Sequence, residues 1–140
     1  MLESGAKRRL TLYKVILVDD APLTRKELLE RIDWSRIGFE VAGEAGDATA
    51  GYRAYHTYQP HVVILDIHLP GMNGLTMVEQ IRELDSVVFF IIYTEETDFC
   101  YVQRAIELHV QAYLQKPSEV NLLEAELLNI AQVLKRKGRR

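Results

Sequence analysis

The chain reads as an α/β domain, a five-stranded parallel sheet with helices on both faces, and three observations predict it. Short apolar segments alternate with helix-length amphipathic stretches from Tyr13 to Leu134. The strand segments are continuous apolar runs, such as Val15-Ile16-Leu17-Val18 and Val62-Val63-Ile64-Leu65. Strands buried on both faces look like that, whereas half-exposed strands alternate. Finally, four of the runs end directly on polar residues: Asp19-Asp20, Asp66, Thr94 and Lys116.

Each element follows from local sequence. Tyr13–Val18 is the first strand; Pro22 suits the first turn of a helix reaching about Asp33, with Leu28, Leu29 and Ile32 facing inward. Val41–Ala45 is the second strand, and Thr49–Tyr58 a helix closed before Pro60. Strand Val62–Leu65 precedes the turn Leu69-Pro70-Gly71-Met72-Asn73-Gly74 and a helix from about Leu75 to Leu84. Strand Phe89–Tyr93, helix Asp98–Leu108 and strand Ala112–Gln115 come next. A fifth helix, about Asn121 to Lys135, carries Leu123, Leu127, Ile130 and Leu134 at helical spacing. Residues 1–12 read as a flexible leader, 13–134 as the domain and 135–140 as a basic tail.

Composition narrows the function. At 140 residues and 48% hydrophobic content the chain has enough apolar material for one core. It contains no apolar run of the roughly 20 residues a membrane helix needs, and the leader lacks a signal peptide's apolar centre, so a soluble cytoplasmic protein with no membrane partner is expected. The single cysteine, Cys100, excludes an internal disulfide and a thiolate metal cluster, and is expected to pack on a helix. The net charge of −3 hides an asymmetry, because eight of the 17 basic residues lie in the leader and tail while 19 of the 20 acids lie between, leaving a body at −10. Such a body repels nucleic acid.

Ligands of open parallel sheets sit at the carboxyl ends of the strands, so Asp19, Asp20, Asp66, Thr94 and Lys116 should converge there. Adjacent acids at a strand end are costly unless a cation or a helix N-terminus offsets them. The plain alternative is that Asp19 and Asp20 cap the first helix. A third carboxylate from Asp66 favours magnesium, which takes oxygen ligands and keeps several waters. His56, His61, His68 and His109 lack zinc-ligand spacing and read mostly as surface residues. Asp66 is the candidate nucleophile, since carboxylates form aspartyl-phosphates when a metal screens the incoming charge. Lys116 can bridge to a phosphoryl oxygen, and Pro117 behind it permits a cis peptide that aims the ammonium inward. Thr94 can donate its hydroxyl to the same oxygens. Each residue alone has an ordinary reading as a cap, a loop acid or a surface lysine; the ordered set does not.

From Tyr13 to Leu134 the chain resembles the receiver domain of bacterial two-component response regulators. Val18-Asp19-Asp20, Asp66-Ile67-His68-Leu69-Pro70-Gly71-Met72-Asn73-Gly74, Thr94 and Tyr113-Leu114-Gln115-Lys116-Pro117 carry the likeness. The resemblance implies a (βα)5 flavodoxin-like fold with Asp66 as phosphoacceptor. It implies that Asp19, Asp20, Asp66 and the carbonyl of His68 hold Mg2+, and that Thr94 and Lys116 contact the phosphoryl group. Thr94 and Tyr113 would form a switch in which Tyr113 turns from exposed to buried when Thr94 moves. The implied partners are a sensor histidine kinase and a second copy, meeting through the fourth helix, fifth strand and fifth helix. The implied role is a phosphorylation-dependent switch without enzyme turnover beyond slow self-dephosphorylation.

Ile32-Asp33-Trp34 with Gly38-Phe39-Glu40-Val41 is similar to receivers fused to an AraC-type helix-turn-helix transcription domain. On that resemblance DNA would be reached only through an output domain absent from this chain, and residues 135–140 would begin the linker. The chain also departs from the family's pattern. Glu95 follows Thr94 where a small residue is usual, and Ala21 replaces an acid often found after the Asp pair. An acid beside a phosphoaspartate repels it and should slow small phosphodonors. A constitutive pseudo-receiver interaction module is the alternative that Glu95 would favour. An aspartyl-phosphate phosphohydrolase is a third reading, but it needs an acid two residues past the nucleophile, where this chain has His68.

Overall fold

The computed structural model describes residues 11–138; most of the leader and the last two residues of the tail lie outside them. Five parallel strands, β1 (Tyr13–Val18), β2 (Phe39–Ala45), β3 (Val62–Leu65), β4 (Phe89–Thr94) and β5 (Ala112–Gln115), alternate with five helices. The helices are α1 (Pro22–Arg31), α2 (Ala48–Tyr58), α3 (Gly74–Leu84), α4 (Phe99–Glu107) and α5 (Val120–Arg136). The sheet order is β2-β1-β3-β4-β5, so the winding reverses between β1 and β3. This is the flavodoxin-like arrangement that the resemblance implies.

Alternate residues of each central strand serve opposite faces, giving two cores. Ile16, Val18, Val63, Leu65, Phe90 and Ile92 pack with α2, α3 and α4 through residues such as Tyr55, Val78 and Ala105. Val15, Leu17, Val62, Ile64, Ile91 and Tyr93 pack with α1 and α5 through Leu28, Leu123, Leu127 and Ile130. Each fully buried aliphatic side chain contributes about 1.5–3 kcal/mol of transfer free energy, which the two faces multiply. The edge strand β2 departs from the apolar-run pattern, with mostly half-buried and exposed residues between buried ends.

Helix ends fall within a few residues of the expected positions, and the differences have local causes. The first helix stops at Arg31 rather than about Asp33 because Ile32 is extended and the Trp34 indole N–H donates to the Leu28 carbonyl at 3.1 Å, folding the chain back. Asp47, Asn73 and Asp98 each accept a backbone N–H as N-caps of α2, α3 and α4, so Asp98 precedes its helix instead of opening it. Two burial expectations are corrected. Leu29 is exposed because the inward stripe of α1 follows Leu28 and then Ile32. Cys100 is also exposed, since only Ala105 of the short helix α4 is fully covered.

Candidate functional site

Strand register brings the polar residues together. Val18 pairs with Leu65, so Asp19 and Asp66 leave neighbouring strands side by side at the winding reversal, and the Asp66 N–H donates to the Val18 carbonyl at 3.0 Å. Leu65 pairs with Ile92, which sets Thr94 just past Asp66 on β4. Thr94 pairs with Gln115, and the Lys116 N–H donates to the Thr94 carbonyl at 2.9 Å. The Lys116–Pro117 peptide is cis.

The side chains form one network. The Lys116 ammonium donates to Asp19 Oδ2 and to Asp66 Oδ2, each at 2.7 Å. The Thr94 hydroxyl donates to Asp66 Oδ1 at 2.5 Å, and the Ile67 N–H donates to the same oxygen at 2.7 Å. Asp19, Asp66 and Thr94 are buried, whereas Asp20 is exposed at the rim. Burial pushes the Asp19 carboxyl above its ordinary range even though the hydrogen-bonded Lys116 works against it. Burial alone would lower the Lys116 ammonium, but its bonds to Asp19 and Asp66 outweigh that and hold it above its ordinary value.

Asp19, Asp20 and Asp66 each offer a carboxylate oxygen, and these oxygens lie within 4.8 Å of one another. Three acids facing one ammonium leave a deficit of positive charge in a partly buried setting. An all-oxygen donor set of this kind fits a hard divalent cation such as Mg2+. The capping alternative for the Asp pair fails in its simple form. Asp19 Oδ1 accepts the Ala21 N–H at 2.9 Å, but α1 begins at an Ala21 cap with no side-chain bond.

Gly74 keeps the loop after Asp66 close. Its N–H donates to the Ile67 carbonyl at 2.7 Å, and an added Cβ would lie 2.2 Å from the Asp66 carbonyl oxygen. No side chain fits there without moving the backbone that presents Asp66.

Several contacts were not legible in the sequence. The His68 ring meets Glu96 at 2.6 Å, joining the loop after β3 to the loop after β4, and its edge faces Tyr101 with centroids 5.9 Å apart. Glu96 is held below the ordinary carboxylate range, first by His68 and then by the Asp98 N–H. The Glu96 N–H donates to the Thr94 hydroxyl at 3.2 Å, and the Glu96 carbonyl accepts the Tyr113 hydroxyl at 2.8 Å. Tyr113 is therefore half-buried here rather than exposed, because the β4–α4 loop offers its hydroxyl a partner. Arg25 Nη1 donates to the Asp19 carbonyl while its Nε bonds Glu44 at 3.0 Å. No fixed spacing announces these pairs, which depend on where two loops end.

The response regulator receiver domain family matches residues 15–128, and the chain belongs to that family. A receiver domain is a phosphoacceptor signalling domain rather than a classical enzyme. The chain is 30% identical over 126 residues to the transcriptional regulatory protein YesN of Bacillus subtilis, covering 90% of this chain and 34% of that protein. It is 32% identical over 123 residues to the transcriptional regulatory protein HptR of Staphylococcus aureus, covering 88% of this chain and 48% of HptR. The chain thus spans about a third to a half of the curated relatives it matches. Among solved structures, the REC domain of AraT, a response regulator from Geobacillus stearothermophilus, superposes with a TM-score of 0.80 at 29% identity. That match covers 89% of this chain and 99% of the other. Among the described residues no helix is long and apolar enough to cross a membrane.

Proposed function

We propose that Asp66 accepts a phosphoryl group from a sensor histidine kinase and that the modified domain controls a transcriptional output. The observation carrying this reading is a buried carboxylate, Asp66, held by the Thr94 hydroxyl and the Lys116 ammonium beside two further acids. In the reaction an Asp66 oxygen bonds to phosphorus as the bond from phosphorus to the donor imidazole nitrogen breaks. Lys116 orients the nucleophile through Oδ2 and then bridges to a phosphoryl oxygen. Thr94 shifts its hydroxyl from Oδ1 to the phosphoryl group. Asp19, Asp20, Asp66 and the His68 carbonyl would hold Mg2+, which supplies charge screening for the incoming phosphoryl group.

Movement of Thr94 alters the hydrogen bond from the Glu96 N–H and, through the Glu96 carbonyl, the hold on Tyr113. The face of α4, β5 and α5 changes in consequence and pairs with a second copy. A ligand biases such an equilibrium only by its differential contacts, so the bond between Thr94 and the phosphoryl group must supply the bias. We read residues 13–134 as the receiver and 135–140 as the start of a linker, and the resemblance of Ile32-Asp33-Trp34 and Gly38-Phe39-Glu40-Val41 points to an AraC-type output. The chain covers 34% of YesN and 48% of HptR, both transcriptional regulators longer than itself. The cytoplasm is the compartment that this role requires. Self-dephosphorylation would be slow and would be the sole turnover.

Intact-mass analysis after incubation with a phosphodonor and magnesium tests the acceptor. The parent chain gains one phosphate and Asp66→Asn gains none. Equal labelling of both proteins would move the site elsewhere. Thr94→Ala should accept phosphate yet lose phosphate-dependent dimerisation in sedimentation, and retained dimerisation would break the relay.

A further inference from the structure

Two cavities open over Lys116, and Glu95 lines both. One, of about 280 Å3, also touches Asp20 and Asp66; its neighbour, of about 190 Å3, also touches Glu27. Among the described residues lining them, Lys116 and His68 are the basic side chains. Both are already engaged, Lys116 with Asp19 and Asp66 at 2.7 Å each, and His68 with Glu96 at 2.6 Å. Arg25 is likewise tied to Glu44 at 3.0 Å. The exposed Glu95 carboxylate therefore lines both cavities with no basic side chain among their lining residues left to offset it.

We propose that Glu95 selects the phosphodonor by charge. It makes the mouth of the Asp66 pocket anionic and so disfavours small acyl phosphates relative to nitrogen-linked donors that bring less negative charge. The inference rests on the reading of Asp66 as the acceptor. With acetyl phosphate, an Asp66 oxygen bonds to phosphorus while the bond from phosphorus to the acyl oxygen breaks, and acetate leaves with the electron pair. With phosphoramidate, the bond from phosphorus to nitrogen breaks, and the already protonated nitrogen leaves as ammonia. The acceptor chemistry is the same, but acetyl phosphate carries more negative charge past Glu95. Repulsion at the mouth acts on approach, is weak because water screens it, and falls further as salt is added.

The test compares acetyl phosphate with phosphoramidate, both with magnesium, by the rate of intact-mass gain in parent, Glu95→Gln and Glu95→Ala chains. Removing the charge at constant size in Glu95→Gln should speed labelling by acetyl phosphate about five-fold and by phosphoramidate about two-fold or less. The acetyl phosphate gain should shrink at high salt, and Glu95→Ala should match Glu95→Gln. No change in Glu95→Gln, equal gains for both donors, or acceleration in Glu95→Ala alone would overturn the inference, the last by showing that width rather than charge limits entry. Those outcomes leave Asp66 labelled. Absence of label from both donors in all three proteins would instead overturn the acceptor reading, and this inference with it.

Discussion

The two ends of the sheet both carry charged clusters, and they are built on opposite plans. At the amino end, Arg82 donates to the carbonyls of Leu108 at 3.0 Å, Val88 at 2.7 Å, His109 at 3.0 Å and Asp85 at 3.3 Å. Its guanidinium also sits 4.9 Å from the centroid of the Phe90 ring. Asp85 accepts the Tyr55 hydroxyl at 2.7 Å and the N–H groups of Val87 and Val88 at 2.8 and 3.0 Å. Those bonds overcome burial and hold the Asp85 carboxyl below its ordinary value, while burial and then Asp85 push the Tyr55 phenol up. Arg82 and Asp85 are both satisfied by groups of the chain itself. At the carboxyl end three acids lie around one ammonium that bonds only Asp19 and Asp66, and the balance is left to something that binds. A closed cluster braces the fold; an unbalanced one is available for chemistry.

Breaking the closed cluster should have the largest effect on stability. Arg82→Ala strands four backbone carbonyls, and should cost about 3 kcal/mol in urea denaturation while leaving phosphate gain on Asp66 intact. A loss under roughly 1 kcal/mol would show that water replaces the guanidinium easily. The open cluster should respond with the opposite sign. Asp20→Asn removes repulsion at an exposed rim position and should stabilise the magnesium-free protein by about 0.5 kcal/mol. The same variant should bind magnesium at least about ten-fold more weakly in calorimetry, because an oxygen donor set loses a charged member. Equal magnesium binding by parent and variant would contradict the assignment of Asp20.

The smallest effect concerns Tyr113, which links the open cluster to the α4–β5–α5 face. Burial, then the Glu96 and Asp66 carboxylates, push its phenol from 10.0 up to about 12. A group raised in the folded state contributes stability below its unfolded value and loses it as pH rises through the folded one, here between 10.0 and about 12. Absorbance titration should show Tyr113 and Tyr55 among the late-ionising phenols, with Tyr113→Phe removing one of them. An unchanged count in Tyr113→Phe would place Tyr113 in water.

How much of this was legible in the sequence depends on whether a feature is periodic or positional. The apolar runs marked the central strands β1, β3 and β4, because burial on both faces leaves no polar positions for ambiguity, whereas the half-exposed edge strand β2 begins at Phe39, two residues before its expected start. Asp19, Asp66, Thr94 and Lys116 could be brought together from sequence since each closes a strand, and strand ends in a parallel sheet share one edge. Leu29 was misjudged because helix phase alone does not say how wide a stripe the short α1 buries. Neither the contact between His68 and Glu96 nor the Arg82 brace followed from the sequence. Both join loops or helix ends 26 to 28 residues apart whose approach is decided by tertiary packing.

The most direct test uses the dependence of labelling on a cation. The open cluster lacks positive charge, and Asp66 is its nucleophile, so incubation with phosphoramidate should add one phosphate to the chain when magnesium is present. With the metal removed by a chelator the mass should not change, and the Arg82→Ala chain should behave like the parent in both conditions. A gain of phosphate that persists in the chelator, or no gain in magnesium, would contradict the account.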